Sequence, residues 1–316
     1  MVKIAVAGAG AVAKEIIAGL LARNKHQLII LTRKDPPSDP LVRPDVTYVK
    51  VNYQDKNQLA NVLRGVHTVL SFIAVQTDTG NSSQKNLIDA AVVAGVKRFA
   101  PSEWALGTIS HTPYSGKADV REYLRQLNQK EKVLEYTLFQ PGIFLNYLGY
   151  PYKTSEHLAL VPMPWDFQNR RAIVLEGHEH EDAMTMTLVQ DVANVVAEAI
   201  EFEGEWPVVG GISGNRVTVA QLLELGKRVR GQSFEIEAVK LEVQAGELKT
   251  SWVPLITHRG IPEDQIETIS RDSLKGTLTG IAKGVFVVTD EWNRLLPSYR
   301  FTNVEEFLSK VWTGKP

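Results

Sequence analysis

The chain has 316 residues, 44% hydrophobic and 22% charged, with a formal net charge of −1 at pH 7. This is the composition of an ordinary globular protein, with enough chain for a large core and two lobes; the near-neutral balance gives no electrostatic case for nucleic acid or an anionic membrane. The absence of cysteine excludes disulfides, thiol nucleophiles, thiolate metal sites and iron–sulfur clusters, and no apolar run approaches the ~18 residues that a spanning helix needs.

Met1-Val2-Lys3 leads directly into the apolar run Ile4-Ala5-Val6-Ala7, so a cytoplasmic protein without a targeting segment is expected. The run is rich in β-branched residues and reads as a buried strand that stops at Gly8 and Gly10. Val12, Ala13, Ile16, Ile17, Leu20 and Leu21 then recur at helical spacing, with Lys14, Glu15 and Arg23 off that face. Strand, glycine turn and helix in this order give the G-x-G-x-x-A pattern its meaning. Gly8 makes the tight turn. Gly10 lets the backbone approach a pyrophosphate, which the helix N-terminus receives at Ala11 and Val12 with free N–H groups and a favourable dipole.

Strands and helices alternate through the first 140 residues, the pattern of a parallel sheet with crossover helices. Further strands are expected at 27–32, 46–51, 68–74, 97–100 and 134–139, and helices at about 55–64, 84–93 and 117–130. Asp55 is a good N-cap and Gly95 a plausible helix stop. Beyond Gln140-Pro141-Gly142 the rhythm changes. Residues 144–182 hold Phe144, Tyr147, Tyr150, Tyr152, Trp165 and Phe167 among prolines, which suits a pocket wall or, alternatively, a packed loop. A helix at 188–202, a strand at 207–212, a helix from the N-cap Thr218 to about 230, a strand at 234–241 and a closing helix at 304–311 complete the reading. The expected architecture is an α/β Rossmann-type doubly wound parallel sheet over residues 1–150, to which 185–212 return, with a smaller substrate lobe over 151–316.

At the end of the second strand a dinucleotide fingerprint for NAD expects an acidic residue for the ribose 2′-hydroxyl. This chain has Thr32-Arg33-Lys34 instead. A guanidinium there grips a 2′-phosphate bidentately, which favours NADP(H). The ends of the fourth strand (Ser71, Ile73, Ala74) and of the sixth (Pro141) are assigned to the same cofactor, because ligands of open α/β sheets bind beyond the carboxyl ends of the strands. Tyr114 and Lys117 form Y-x-x-K, whereas the short-chain dehydrogenase pair needs Y-x-x-x-K, and position 113 is proline. Lys117 therefore stands without its usual tyrosine. His178-Glu179-His180-Glu181 carries two imidazoles at metal-ligand alternation, but no third ligand is assigned, and the segment reads as a solvated turn without a metal.

These residues together resemble the isoflavone-reductase-like and NmrA-like branch of the atypical short-chain dehydrogenase/reductases. The resemblance rests on the glycine turn, on Leu31-Thr32-Arg33, and on the run Ala94 to Trp104 with its Pro101-Ser102-Glu103. It continues through Lys117-Ala118-Asp119-Val120-Arg121, the segment Leu134 to Phe144, and Asp191-Val192. It implies that Lys117, the lysine of K-x-x-x-R, sits by the nicotinamide ribose and serves in proton transfer, and that Arg33 holds the 2′-phosphate. The chain departs from the family in writing Gly8-Ala9-Gly10-Ala11-Val12-Ala13 for G-x-x-G-x-x-G, and Trp104-Ala105 for Phe-Gly.

The function expected from this is NADPH-dependent reduction of a small aromatic or conjugated metabolite, with Lys117 assisting protonation. The substrate pocket is assigned to His111, Tyr114, Phe144, Tyr147 and Trp165. Two rival readings keep the fold: a nicotinamide-nucleotide sensor that docks a regulatory protein partner without turnover, and a redox-neutral catalyst.

Overall fold

The computed structural model describes residues 1–35, 43–104, 115–240, 249–257 and 261–316. The chain divides into two compact units. The first comprises Met1–Gln140, Val192–Ile212 and Thr289–Tyr299, and the second Pro141–Asp191, Ser213–Val288 and Arg300–Pro316. The expected boundary after residue 150 thus moves to Gln140, and a segment not foreseen, 289–299, belongs with the first unit. Its Trp292 is fully buried there and stacks on Phe139, with ring centroids 5.6 Å apart.

Among the described residues, the first unit is built on six strands: β1 (Lys3–Ala7), β2 (Gln27–Thr32), β3 (Val46–Lys50), β4 (Thr68–Ser71), β5 (Arg98–Ala100) and β6 (Glu135–Tyr136). Their order is β3-β2-β1-β4-β5-β6, every neighbouring pair parallel. This is the strand order of a Rossmann-type doubly wound sheet, and it reverses between β1 and β4. Ile4, Ala5, Val6 and Ala7 are all completely buried, as a central parallel strand covered on both faces requires. The helices α1 (Ala11–Ala22), α2 (Lys56–Val62), α3 (Ser82–Val93), α4 (Ser115–Leu127) and α5 (Val189–Glu201) accompany it.

Three local outcomes refine the expectations. Asp55 caps α2 by accepting from the Gln58 N–H at 2.9 Å, as its position predicts. The single strand expected at 134–139 changes partner at Thr137: β6 joins the large sheet, while β7 (Leu138–Gln140) pairs in parallel with Val209–Gly211. Glu15, expected on the polar face of α1, is buried. Its stripe, Glu15-Gly19-Arg23 at i, i+4 and i+8, faces α5, because a Cβ on Gly19 would lie 2.9 Å from that of Ala193 and Arg23 pairs with Glu198 at 2.5 Å.

In the second unit Arg171–Leu175 pairs in parallel with Glu235–Val239 and antiparallel with Trp165–Asp166. Ala183–Thr187 pairs with Ile143–Phe144 and with Asn215–Thr218. Helices Val219–Arg230, Ile266–Ala282 and Val304–Trp312 pack with them around Trp165, Phe167, Met184, Leu222, Leu308 and Trp312. The His178–Glu181 segment lies in a turn, where the His178 Nδ1 is 2.6 Å from an Asp182 carboxylate oxygen.

Candidate active site

Two loops flank the point where the strand order reverses, one after β1 and one after β4. Gly8 sits at φ +107, a conformation that side chains rarely adopt, and a Cβ there would stand 3.2 Å from the Phe72 carbonyl oxygen. Its N–H donates to the Leu31 carbonyl, and the Phe72 N–H to that of Ala7, which fixes the two loops against the sheet. Gly10 then takes the N-cap position of α1 at φ −70, ψ 178, without a side-chain cap. Nothing lies within 4 Å of where its Cβ would be. The first N–H groups of α1 are therefore presented past an exposed backbone, as an anion-binding turn requires.

A groove of about 480 Å³ begins at this turn. Gly8, Ala9, Gly10, Thr32, Arg33, Lys34, Ile73 and Ala74 line it, and so do Lys14, Tyr53 and Asp78. The Thr32 hydroxyl donates to the Lys34 carbonyl and shapes the turn carrying the two cations. Burial pushes the Tyr53 phenol well up from its ordinary range, and the nearby Arg33 charge opposes this. Asp78 does not offer its charge to the groove. It is buried and accepts from the N–H groups of Ser83 and Gln84, capping α3.

Not every residue assigned to the cofactor lines the groove. Ser71 is fully buried, and its hydroxyl donates to the Gln84 amide oxygen at 2.8 Å. The same Gln84 oxygen accepts the Ser102 N–H at 2.8 Å, so one buried amide ties the end of β4 to the end of β5. Ala11 and Val12 are half-buried in the first turn of α1. Pro141 is buried at the first position of the second unit.

Lys117 stands near the start of α4, half-buried, and its ammonium donates to the main-chain carbonyl of Glu103. Burial lowers its pKa from the ordinary lysine range; the Glu103 carboxylate opposes that shift and Arg121 adds to it. Glu103 is itself only 2% exposed, and Arg121 holds its carboxylate with two parallel bonds of 2.9 and 2.7 Å. One helical turn separates Lys117 from Arg121, so one carries the ammonium to the Glu103 carbonyl and the other grips its carboxylate. Asn81 fixes the helix start from the other side, donating to the Gly116 carbonyl at 2.9 Å and to Asp119 at 2.7 Å. A Cβ on Gly116 would fall 2.4 Å from the Val75 side chain, so a larger residue there would have to displace it.

Glu103, Arg121, Gln84, Asn81 and Gly116 were not assigned to the site from the sequence. The pairing of a buried acid with the arginine of K-x-x-x-R was the signal available. Trp104, where the family pattern has phenylalanine, has φ +43 and is 6% exposed. Its ring stacks on Phe72 at 4.3 Å and its Nε1–H donates to the Ser71 carbonyl at 2.6 Å. The indole thus locks the β4 and β5 loops together.

In the second unit a pocket of about 230 Å³ brings Tyr147 and Trp165 together with Tyr150, Phe167, Arg171 and Trp252. Phe144 does not line it; it is buried and meets Tyr147 edge-on at 5.8 Å. His111 and Tyr114 lie outside the described residues.

The sequence model of the NmrA-like family matches residues 2–308. The chain belongs to the NmrA-like family. The chain is 30% identical over 241 residues to Oxidoreductase BOA1 of Botryotinia fuckeliana, covering 74% of this chain and 78% of that protein. Among solved structures, AtPrR2 with NADP+ and (+)pinoresinol matches with a TM-score of 0.70 at 16% identity, over 98% of each chain. The NADPH-dependent quinone oxidoreductase QOR2 of Escherichia coli, complexed with NADPH, matches with a TM-score of 0.68 at 19% identity, over 98% of this chain and 99% of that one. At such identities these structures speak for the fold, and they agree with the Rossmann-type sheet of this NmrA-like chain.

Proposed function

We propose that this protein is an NADPH-dependent oxidoreductase that reduces a small aromatic or conjugated metabolite. The observation that carries the reading is the groove running from the uncapped N-terminus of α1 to Arg33 and Lys34. It pairs a pyrophosphate-receiving turn with two cations directly after β2, and the acid that follows them in its lining, Asp35, is engaged by Lys50 at 2.7 Å. The naming of the Botryotinia relative as an oxidoreductase, and the nicotinamide cofactors named in the two solved structures, support it.

The residues fit the cofactor in detail. Gly10 leaves its backbone open to a pyrophosphate, and the α1 N–H groups stabilise negative charge there. Arg33 and Lys34 receive the 2′-phosphate. When bound, the reduced nicotinamide supplies a hydride. Lys117, partly desolvated and steered by the Glu103 carbonyl, gives its Nζ proton to the charge that develops on the substrate or holds that charge electrostatically. In the second unit, Tyr147 and Trp165 line an aromatic pocket suited to an apolar ring. Titration with NADPH and NADH, followed by NADPH absorbance across conjugated ketones, quinones, imines and aryl ethers, tests the reading. Binding of NADPH with turnover supports it, and equal affinity for the two cofactors or no consumption on any class overturns it.

A further inference from the structure

The lining of the second unit's pocket states what its ligand must offer. Its walls are aromatic and proline surface: Tyr147, Tyr150, Trp165, Phe167, Trp252 and Pro254. Its acid is already engaged, because the Asp166 carboxylate accepts from the Asn169 N–H at 3.1 Å, the Asn169 amide at 2.7 Å and the Arg171 Nε at 3.0 Å. Arg171 is less fully used. Its guanidinium lies 4.0 Å from the centre of the Trp252 ring and spends only Nε on Asp166, so its terminal nitrogens have no acceptor among the described residues. A guanidinium can only donate. The Arg171 side chain is 37% exposed, so water solvates its terminal nitrogens and an anionic acceptor brought by a ligand would take that water's place.

We infer that the pocket binds a planar aromatic acid, a one- or two-ring compound whose carboxylate or ionised phenol pairs with Arg171 while its ring packs among Tyr147, Trp165 and Trp252. The volume suits this, since a cavity of roughly 150 Å³ already holds benzene and this one has about 230 Å³. Stacking on Trp252 holds the guanidinium plane in place, so little freedom is lost when the acid binds. A neutral aromatic would leave the terminal nitrogens to water, whereas an amine would meet a cation. The inference concerns the second unit's pocket by itself and goes beyond the reductase reading; the binding needs no cofactor.

Calorimetric titration of the full chain with 2-naphthoate and with 2-naphthamide, both without NADPH, separates the two matters. The acid is expected to bind about ten- to a hundred-fold more tightly than the amide, the span of one charge-assisted pair. Arg171→Met should abolish that preference, and Arg171→Lys should restore only part of it. Comparing acid with amide on the parent protein makes the test independent of whether either variant folds. Equal affinities on the parent, binding of neither probe, or a preference that persists in a folded Arg171→Met would each overturn the inference. A separate NADPH titration reports on the reductase reading, so either can fail alone.

Discussion

Lys117 reaches Glu103 through the main-chain carbonyl, while the carboxylate of that same residue is held by Arg121 one helical turn further on. A buried acid thus serves the ammonium twice: its carbonyl fixes the direction of Nζ, and its charge keeps the lysine's pKa from falling further. If Lys117 supplies the proton, Lys117→Ala lowers turnover by about 10²–10⁴-fold. Affinity for the adenosine end of NADPH, measured with a 2′-phosphorylated adenosine fragment, should hold. Lys117→Arg should rescue little, since a guanidinium keeps its proton near neutral pH.

The pH dependence follows from the same group. The reacting form is protonated, so activity is full below the Lys117 pKa and is lost as pH rises through it. Burial places that pKa below the ordinary lysine value of 10.5. The rate profile should therefore fall on its alkaline side at a pH below 10.5. A profile whose alkaline limb stays unchanged in an active Lys117→Arg would assign the limb to another group.

Arg121→Met should cost about 3–5 kcal/mol of folding stability, because it strands the Glu103 carboxylate without its partner. Removing both charges with Glu103→Gln and Arg121→Met should recover much of that loss while turnover stays low. Chemical denaturation of the single and double variants measures both. Similar midpoints for parent and Arg121→Met would mean that the pair is solvated in solution.

The two glycines of the first turn should separate folding from binding. Gly8→Ala forces a side chain into φ +107 beside the Phe72 carbonyl and should cost about 1–3 kcal/mol. Gly10→Ala has open space and an ordinary φ, so the fold should lose no more than roughly 0.5 kcal/mol. Its NADPH affinity should nevertheless fall at least tenfold, since the added methyl stands where the pyrophosphate approaches. Unchanged affinity in Gly10→Ala would place the phosphates elsewhere.

Arg33→Ala should reduce the preference for NADPH over NADH by about ten- to a hundred-fold, the worth of one charge-assisted contact. Because Lys34 lines the same groove, the double variant should lose more than either single one. Parallel titrations with both cofactors read this directly. A preference untouched by both substitutions would refute the assignment.

What the sequence made legible was local. The glycine turn, the Asp55 and Thr218 caps and the buried run of β1 each depend on residues a few positions apart, and the structure repeats them. Long-range pairings were harder to read. Glu15 looked polar on its own helix, and only the arrival of α5 explains its burial. The helix Ile266–Ala282 escaped because Gly276, Gly280 and its serines and threonines weaken helical propensity. Its buried seam of Ser270, Leu274, Leu278 and Ile281 is narrow and begins with a polar residue. Gln84 and Asn81 are tied by hydrogen bonds to Ser102 and Gly116, partners that no periodicity announces.

The most direct test of the account is a mass balance with the parent protein, NADPH and an aromatic conjugated substrate. The account predicts that each NADPH oxidised is matched by one product molecule two hydrogens heavier than the substrate, and that Lys117→Ala slows both together. NADPH that binds at saturating substrate yet is never consumed, or a product of unchanged mass, would contradict it.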